Sequence, residues 1–201
     1  MKVTNWSITL LLLAACGLAG APGIASGDWT DHADPLVPVV EDDPAWDEYA
    51  FELPYANLEG RLSFHDLARS GDPFVLYWWL TDCPMCHLQM PYVQQLFNQC
   101  RERELGLRVV SICIDSDKRD CLPYLEDKGI KFDVLFDGRS RRTDEQYEVR
   151  ENGTPLAYVF AAGGVPLGKL TGFTSSFTKD VLAMLEIEPE EPADPEMAND
   201  D

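Results

Sequence analysis

Two cysteines three positions apart, Cys83 and Cys86, carry the strongest chemical signal in this chain of 201 residues. They lie in the run Thr81-Asp82-Cys83-Pro84-Met85-Cys86-His87, directly after the apolar, aromatic stretch Phe74-Val75-Leu76-Tyr77-Trp78-Trp79-Leu80. That stretch reads as a buried strand, and Cys86 onward reads as a helix. The pair therefore sits at a strand-to-helix turn. Such a turn holds the two sulfurs close enough to bridge and sets the first over the free N–H groups of the helix start, which favours the thiolate. A thiolate is the nucleophile of thiol–disulfide exchange, so the expected chemistry is redox, with Cys83 attacking and Cys86 resolving. Pro84 suits the first helical position, where its missing N–H costs nothing and leaves the Met85 and Cys86 amides facing the Cys83 sulfur.

Three further cysteines accompany the pair, and a sixth stands near the N-terminus. Cys100 continues the helical stripe Val93, Leu96, Phe97, which predicts a buried, inert thiol. Cys113 sits within the run Val109-Val110-Ser111-Ile112-Cys113-Ile114 and reads as a core residue of a strand; a bridge to Cys121, at the start of the following helix, is the alternative. Cys16 belongs to a different segment. After Met1-Lys2 and a short apolar core from Ile8 to Ala15, too brief to span a bilayer, Leu13-Ala14-Ala15-Cys16-Gly17 looks like a bacterial lipobox. On that reading Cys16 is lipidated and becomes the mature N-terminus. Cleavage near Ala25-Ser26-Gly27 and an uncleaved anchor are the alternatives, and all three put the mature chain outside the cytoplasm. With Cys16 lipidated or removed, five cysteines remain, and an odd number leaves at least one thiol free in any intramolecular scheme.

The formal charge of −19 is unevenly spread. Residues 28–48 hold eight acids and no Lys or Arg, residues 186–201 hold another eight and no Lys or Arg, and the body between them is close to balanced. Prolines punctuate both segments, which predicts solvated arms: an acidic linker over residues 28–48 and an acidic tail over 187–201. The linker would tether the body to a membrane. No basic stripe is present, which argues against nucleic acid as a partner. The body, residues 49–186, is long enough for one domain with a sizeable core.

Within that body the pattern predicts two short strands around a turn from Phe51 to Phe64. A central strand follows over residues 74–80, then a helix over 86–104 with Leu88, Val93, Leu96, Phe97 and Cys100 inward and a kink at Pro91. Next come a strand over 109–114, a helix over 121–128, a strand over 130–136 and a short helix over 143–149. A hairpin then turns at Gly163-Gly164 between strands 156–160 and 167–172, and a helix over 177–185 closes the chain. Alternating strands and helices followed by a hairpin and a last helix imply an α/β domain. Its mixed central sheet is covered by helices on both faces.

Four separated stretches in this order resemble the TlpA/ResA-like branch of bacterial extracytoplasmic thioredoxins. They are Phe51-x-Leu53-Pro54, the run from Val75 to Cys86, Gln89-Met90-Pro91, and Gly153-Thr154-Pro155 before the strand that opens at Leu156. The resemblance spans roughly residues 49–186. It implies a thioredoxin fold, with an N-terminal β-hairpin and a helix–strand insertion. It also implies a cis Pro155 against the dithiol, and Thr154 backbone groups that, with Pro84 and Met85, receive an extended substrate segment. The implied activity is thiol–disulfide oxidoreduction, with protein thiols or disulfides as substrates, a membrane thiol reductase as electron donor, and no cofactor or metal. Three positions depart from the pattern. Gln89 stands where many members carry a glutamate that exchanges protons with the second thiol. Tyr77 stands where thioredoxin has a buried aspartate, and Asp82 replaces the usual tryptophan before the first cysteine. Proton transfer must then come from water or another group.

Two other chemistries compete. Cys83, Met85, Cys86, His87 and Met90 are soft or borderline ligands suited to Cu(I), as in a metallochaperone-like module. A peroxiredoxin-like peroxidase would use Cys83 as the peroxidatic thiol, but that arrangement wants Thr or Ser three residues before the cysteine, and Thr81 is two before it.

Overall fold

The computed structural model describes residues 42–188. Its centre is a five-stranded mixed sheet in the order β5-β4-β3-β6-β7. The strands are β3 (Phe74–Trp79), β4 (Arg108–Cys113), β5 (Asp133–Phe136), β6 (Leu156–Ala161) and β7 (Val165–Thr171). β3, β4 and β5 run parallel, whereas β6 pairs antiparallel with β3 and with β7. All six residues of β3 are buried, as expected for a central strand covered on both faces. Alternation along it splits the interior into two cores. Val75, Tyr77 and Trp79 face one, with Cys86, Met90, Val93, Leu96 and Cys100 of α2 (Pro84–Glu102), Cys121 and Leu125 of α3 (Lys118–Lys128), and Phe177, Val181 and Leu182 of α5 (Phe177–Met184). Phe74, Leu76 and Trp78 face the other, beneath Phe64, Leu67 and Ala68 of α1 (Phe64–Arg69) and the aromatic ring of Tyr147. The fold is the thioredoxin-like α/β arrangement that the resemblance implies, with helices on both faces of a mixed sheet.

The N-terminal hairpin pairs β1 (Glu52–Pro54) with β2 (Arg61–Ser63), with Leu53 opposite Leu62. Ser63 then caps α1 in a reciprocal box with Asp66. The chain after β1 crosses the outer edge of β5: Tyr55 bridges to Leu135, and the Ala56 amide donates to the Val134 carbonyl at 2.6 Å. An otherwise open strand edge is thereby covered. α3 and β5 form the helix–strand unit between β4 and the segment leading to Pro155. Among the described residues, no helix is long and apolar enough to cross a membrane.

Several details differ from the sequence expectation. α2 starts at Pro84, two residues earlier than the apolar spacing indicates, because Cys83 itself serves as the cap. α2 ends at Glu102 rather than at residue 104, with Pro91 inside it. Leu88 is 52% exposed rather than inward, since the buried stripe is set by Cys86, Gln89, Met90 and Val93. The helix expected over 143–149 is a series of turns, and α4 (Val149–Asn152) begins only where it was expected to end. A polar anchor holds the start of those turns: the buried Asp137 carboxylate accepts from the backbone of Arg142 and Thr143 and from the Thr143 hydroxyl. Glu148, in left-handed backbone at φ 52° and ψ 35°, then interrupts the right-handed run directly before α4. At the N-terminal end, Pro44–Tyr49 form a 3-10 turn with Trp46 buried, so the packed body starts inside the segment read as acidic linker up to residue 48.

Candidate active site

The strand-to-helix turn after β3 brings Cys83 and Cys86 together as a disulfide, with 5.2 Å between their Cα atoms. Cys83 is the N-cap of α2, in extended conformation at φ −94° and ψ 105°, and its sulfur accepts the Cys86 amide at 3.1 Å. A sulfur in the capping position receives both an orphan N–H and the positive end of the helix, each of which stabilises a thiolate once the bridge is opened. Pro84 occupies the first helical position. Cys83 is half-buried, whereas Cys86 is fully enclosed in the core under α2. One sulfur therefore faces a partner and the other waits behind it.

The second wall of the site comes from the far half of the chain. Gly153, with φ 72° and ψ −173°, ends α4 in a conformation that disfavours any side chain. It leads into Thr154-Pro155, whose peptide bond is cis. The Thr154 carbonyl lies 3.6 Å from the Cys83 sulfur, and Pro155 is buried beside it. β6 takes up the sheet ladder only from Leu156, so Thr154 stands at the rim between sheet and dithiol. Met85, 47% exposed, and Pro84 complete that rim on the helix side. Of the four predicted contact residues, Thr154 meets the Cys83 sulfur and Pro155 follows it, while Pro84 and Met85 continue the chain from Cys83 and are exposed.

Around the pair lie three positions where the resemblance foresaw a departure. Tyr77 is fully buried in β3 and donates its hydroxyl to the Cys86 carbonyl at 3.5 Å; burial pushes its phenol well above the ordinary range, so it is a neutral donor rather than a proton acceptor. Gln89 is only 1% exposed. Its carbonyl oxygen accepts the Thr174 amide at 2.8 Å, tying α2 to the loop before α5, while its NH2 group has no partner among the described residues. Asp82 is exposed on the turn itself.

Two contacts gave no signal in the sequence. The His87 ring, stacked on Tyr124 at 4.9 Å, places Nε2 2.7 Å from the Thr81 carbonyl and so latches α2 to the turn that precedes it. Asp115, two residues beyond β4, is buried and accepts the Thr81 amide at 3.1 Å. A polar residue straight after an apolar strand could have marked Asp115, but its partner lies 34 positions away in the chain. The five side chains weighed as copper ligands diverge: Met90 packs in the core, Met85 points outward and His87 is engaged by Thr81. Along α2 from His87, a groove of about 800 Å³ lined by His87, Met90, Gln94, Gln99, Tyr124 and Ile130 leaves out both cysteines and Pro155.

Comparison with known proteins follows this geometry. The chain is 30% identical over 89 residues to the thiol:disulfide interchange protein DsbE of Escherichia coli K12, covering 44% of this chain and 45% of that protein. It is 24% identical over 111 residues to the thiol-disulfide oxidoreductase ResA of Oceanobacillus iheyensis, covering 51% of this chain and 56% of the relative. The chain thus spans about half the length of the curated relatives it matches. Two solved structures share the fold. A secreted Mycobacterium tuberculosis disulfide oxidoreductase homologous to E. coli DsbE superposes with a TM-score of 0.58 at 18% identity, over 68% of this chain and 98% of that one. A thiol:disulfide interchange protein of the thioredoxin family from Chlorobium tepidum superposes with a TM-score of 0.56 at 20% identity, over 67% of this chain and 92% of that one. The AhpC/TSA family model matches residues 45–165, from the turn that buries Trp46 to the first residue of β7. That span contains the dithiol, both parallel crossovers and the cis-proline, and on it the chain belongs to the AhpC/TSA family.

Proposed function

We propose that this protein is an extracytoplasmic thiol–disulfide oxidoreductase that exchanges disulfides with protein substrates. One observation carries the reading: a half-buried Cys83 sulfur that caps α2, bridged to an enclosed Cys86 and set 3.6 Å from the Thr154 carbonyl beside cis-Pro155. The names of the relatives, an interchange protein and an oxidoreductase, support it.

In the reducing direction the Cys83 thiolate attacks a substrate disulfide. A Cys83–substrate S–S bond forms, the substrate bond breaks, and the leaving thiolate takes a proton. Cys86, as thiolate, then attacks the Cys83 sulfur, closes the internal disulfide and releases the second substrate thiol. The same steps in reverse oxidise a dithiol, and the potential of the Cys83/Cys86 couple sets the direction. The Thr154 backbone, with Pro84 and Met85, receives the substrate as an added extended strand, a mode that gives affinity with little demand on sequence. With neither Glu at position 89 nor Asp at position 77, water is the proton carrier for Cys86.

Export follows from residues 1–27, with Cys16 as the lipidated residue and the acidic stretch after it as the tether. A membrane thiol reductase would restore the reduced state. A peroxidase reading finds less support, since Cys83 has its resolving partner three residues away and Thr81 two residues before it. The decisive experiment is trapping. Cys86→Ser protein, isolated from an envelope fraction without reductant, is expected to carry disulfide-linked partners that vanish on reduction, while Cys83→Ser carries none. Equal patterns for the two variants would sink the exchange mechanism, and recovery of Cys16→Ser in the membrane pellet would sink the lipid anchor.

A further inference from the structure

Outside the dithiol, Cys100, Cys113 and Cys121 are free thiols buried in the first core, so none of them opens onto the cleft beside Cys83. The cleft has a different neighbour, the loop between β7 and α5 that opens with Gly172-Phe173-Thr174. This loop touches both walls. On the sheet side the Gly172 amide donates at 2.8 Å to the carbonyl of Pro155, the residue that follows Thr154 across the cis bond. On the helix side the Thr174 amide donates to Oε1 of Gln89 at 2.8 Å. Gly172, at φ 73°, turns the chain out of β7, and the Phe173 ring then lies edge-on to Tyr92 of α2 at 5.9 Å.

Gln89 is the inner anchor of that loop. It lies on the buried stripe of α2, three residues after Cys86, and is 1% exposed. Because the loop offers an N–H, only the carbonyl end of the amide can meet it. The NH2 end, also buried, is left without a partner among the described residues. An unpaired buried donor is a cost that leucine or methionine would not carry at this position. What glutamine supplies that they cannot is an uncharged acceptor, fixed by packing, for the N–H of a loop on the other side of the cleft.

We infer that Gln89 is a positioning residue for disulfide exchange with proteins. By holding Thr174 it ties the Pro155 wall, through Gly172, to the helix that carries Cys83 and Cys86, and so sets the width of the cleft that an extended substrate segment enters. The inference rests on the proposed exchange with protein substrates and adds to it a residue that acts through the loop. Cys83 needs no second wall to react with a small reagent, because its sulfur is capped within α2 itself by the Cys86 amide. A protein segment must meet the sulfur and the Thr154 backbone together, so its binding feels any widening. Loss of the Gln89 acceptor therefore weakens protein substrates selectively, raising KM rather than lowering kcat.

The test compares Gln89→Leu, which keeps the bulk and removes the acceptor, with Gln89→Glu, which keeps an acceptor. In dithiothreitol-driven reduction of insulin, Gln89→Leu should raise KM about five- to tenfold, the effect of one lost hydrogen bond, and leave kcat within about twofold. Gln89→Glu should stay near wild type, and iodoacetamide should alkylate reduced Cys83 at similar rates in all three. A packing role gives the reverse order, Leu tolerated and Glu not; that result would overturn the inference, as would a wild-type KM in Gln89→Leu. Should the Leu variant not fold, Gln89→Met, equally without a carbonyl, takes its place. Hydrogen exchange gives a second readout: the Gly172 and Thr174 amides should be slow in wild type and faster together in Gln89→Leu. Rapid exchange at Thr174 in wild type, or a variant that frees Thr174 and leaves Gly172 slow, would break the tie. Wild-type protein that reduces no insulin would remove the exchange reading and this role with it, an outcome distinct from an active wild type whose KM ignores position 89.

Discussion

At the scale of single residues, the site divides its two sulfurs by exposure and by what donates to them. Cys83 caps a helix and is reachable, Cys86 is enclosed, and Cys100 lies in an apolar setting that raises its thiol to about 11. Brief alkylation of the reduced protein near pH 6 should therefore label Cys83 first, read by peptide mapping, and leave Cys100 unlabelled. Predominant labelling of Cys86 would reverse the proposed roles. Cys100 also carries a pH signature. Its folded pKa stands above the unfolded value of 9.0, so the neutral thiol favours the folded state. That contribution is complete below about pH 9 and is lost as pH rises through about 11. Urea midpoints of wild type should accordingly fall further between pH 9 and pH 11 than those of Cys100→Ala, and parallel declines would contradict it.

At the scale of elements, β3 delivers the dithiol and α2 activates it, but the opposite wall depends on a polar anchor deep in the second core. Asp137, buried at the end of β5, holds the Thr143 backbone and hydroxyl, and the Trp78 indole N–H donates to that hydroxyl at 2.8 Å. These bonds join the central strand to the turns that lead through α4 to Thr154. Thr143→Val keeps the shape but removes the acceptor for Trp78 and one donor to Asp137. Leaving buried groups unsatisfied costs about 1–3 kcal/mol, so the variant should unfold at correspondingly lower denaturant, while Thr143→Ser should recover most of the loss. Equal stability of the Val and wild-type proteins would show that the anchor contributes nothing.

At the scale of the whole molecule, charge and packing are segregated. The acidic excess lies toward the two ends of the chain, while two apolar cores sandwich the sheet. The N-terminal turn belongs to the second of those cores. The Trp46 indole donates to the Gly163 carbonyl at 2.8 Å and packs edge-on to His65, closing the face that α1 covers. Trp46→Ala should cost about 3–5 kcal/mol, the range for emptying a buried aromatic site, measurable as a lower unfolding midpoint. A change below about 0.5 kcal/mol would return this turn to the linker.

The sequence by itself determined the dithiol turn and most of the frame. A C-x-x-C pair after seven consecutive apolar residues marks a strand-to-helix turn, because both signals are local: strand burial shows as an unbroken apolar run, and a thiol over a helix start needs only adjacent residues. The alternation that places β6, β7 and α5 is local in the same sense, and Gly153-Thr154-Pro155 was legible through its resemblance to a known pattern. Tertiary structure decided what depends on side chains distant in the chain. Leu88 turned outward because the buried stripe of α2 is set by what lies beneath it, and residues 143–149 gave up a helix where Glu148 takes left-handed backbone ahead of α4. Asp115 reached Thr81 only because β4 lies beside the strand that delivers the dithiol turn. Periodicity reports which face of an element is apolar; it carries no information on which polar atom, tens of residues away, will stand opposite an unpaired N–H or a buried thiol.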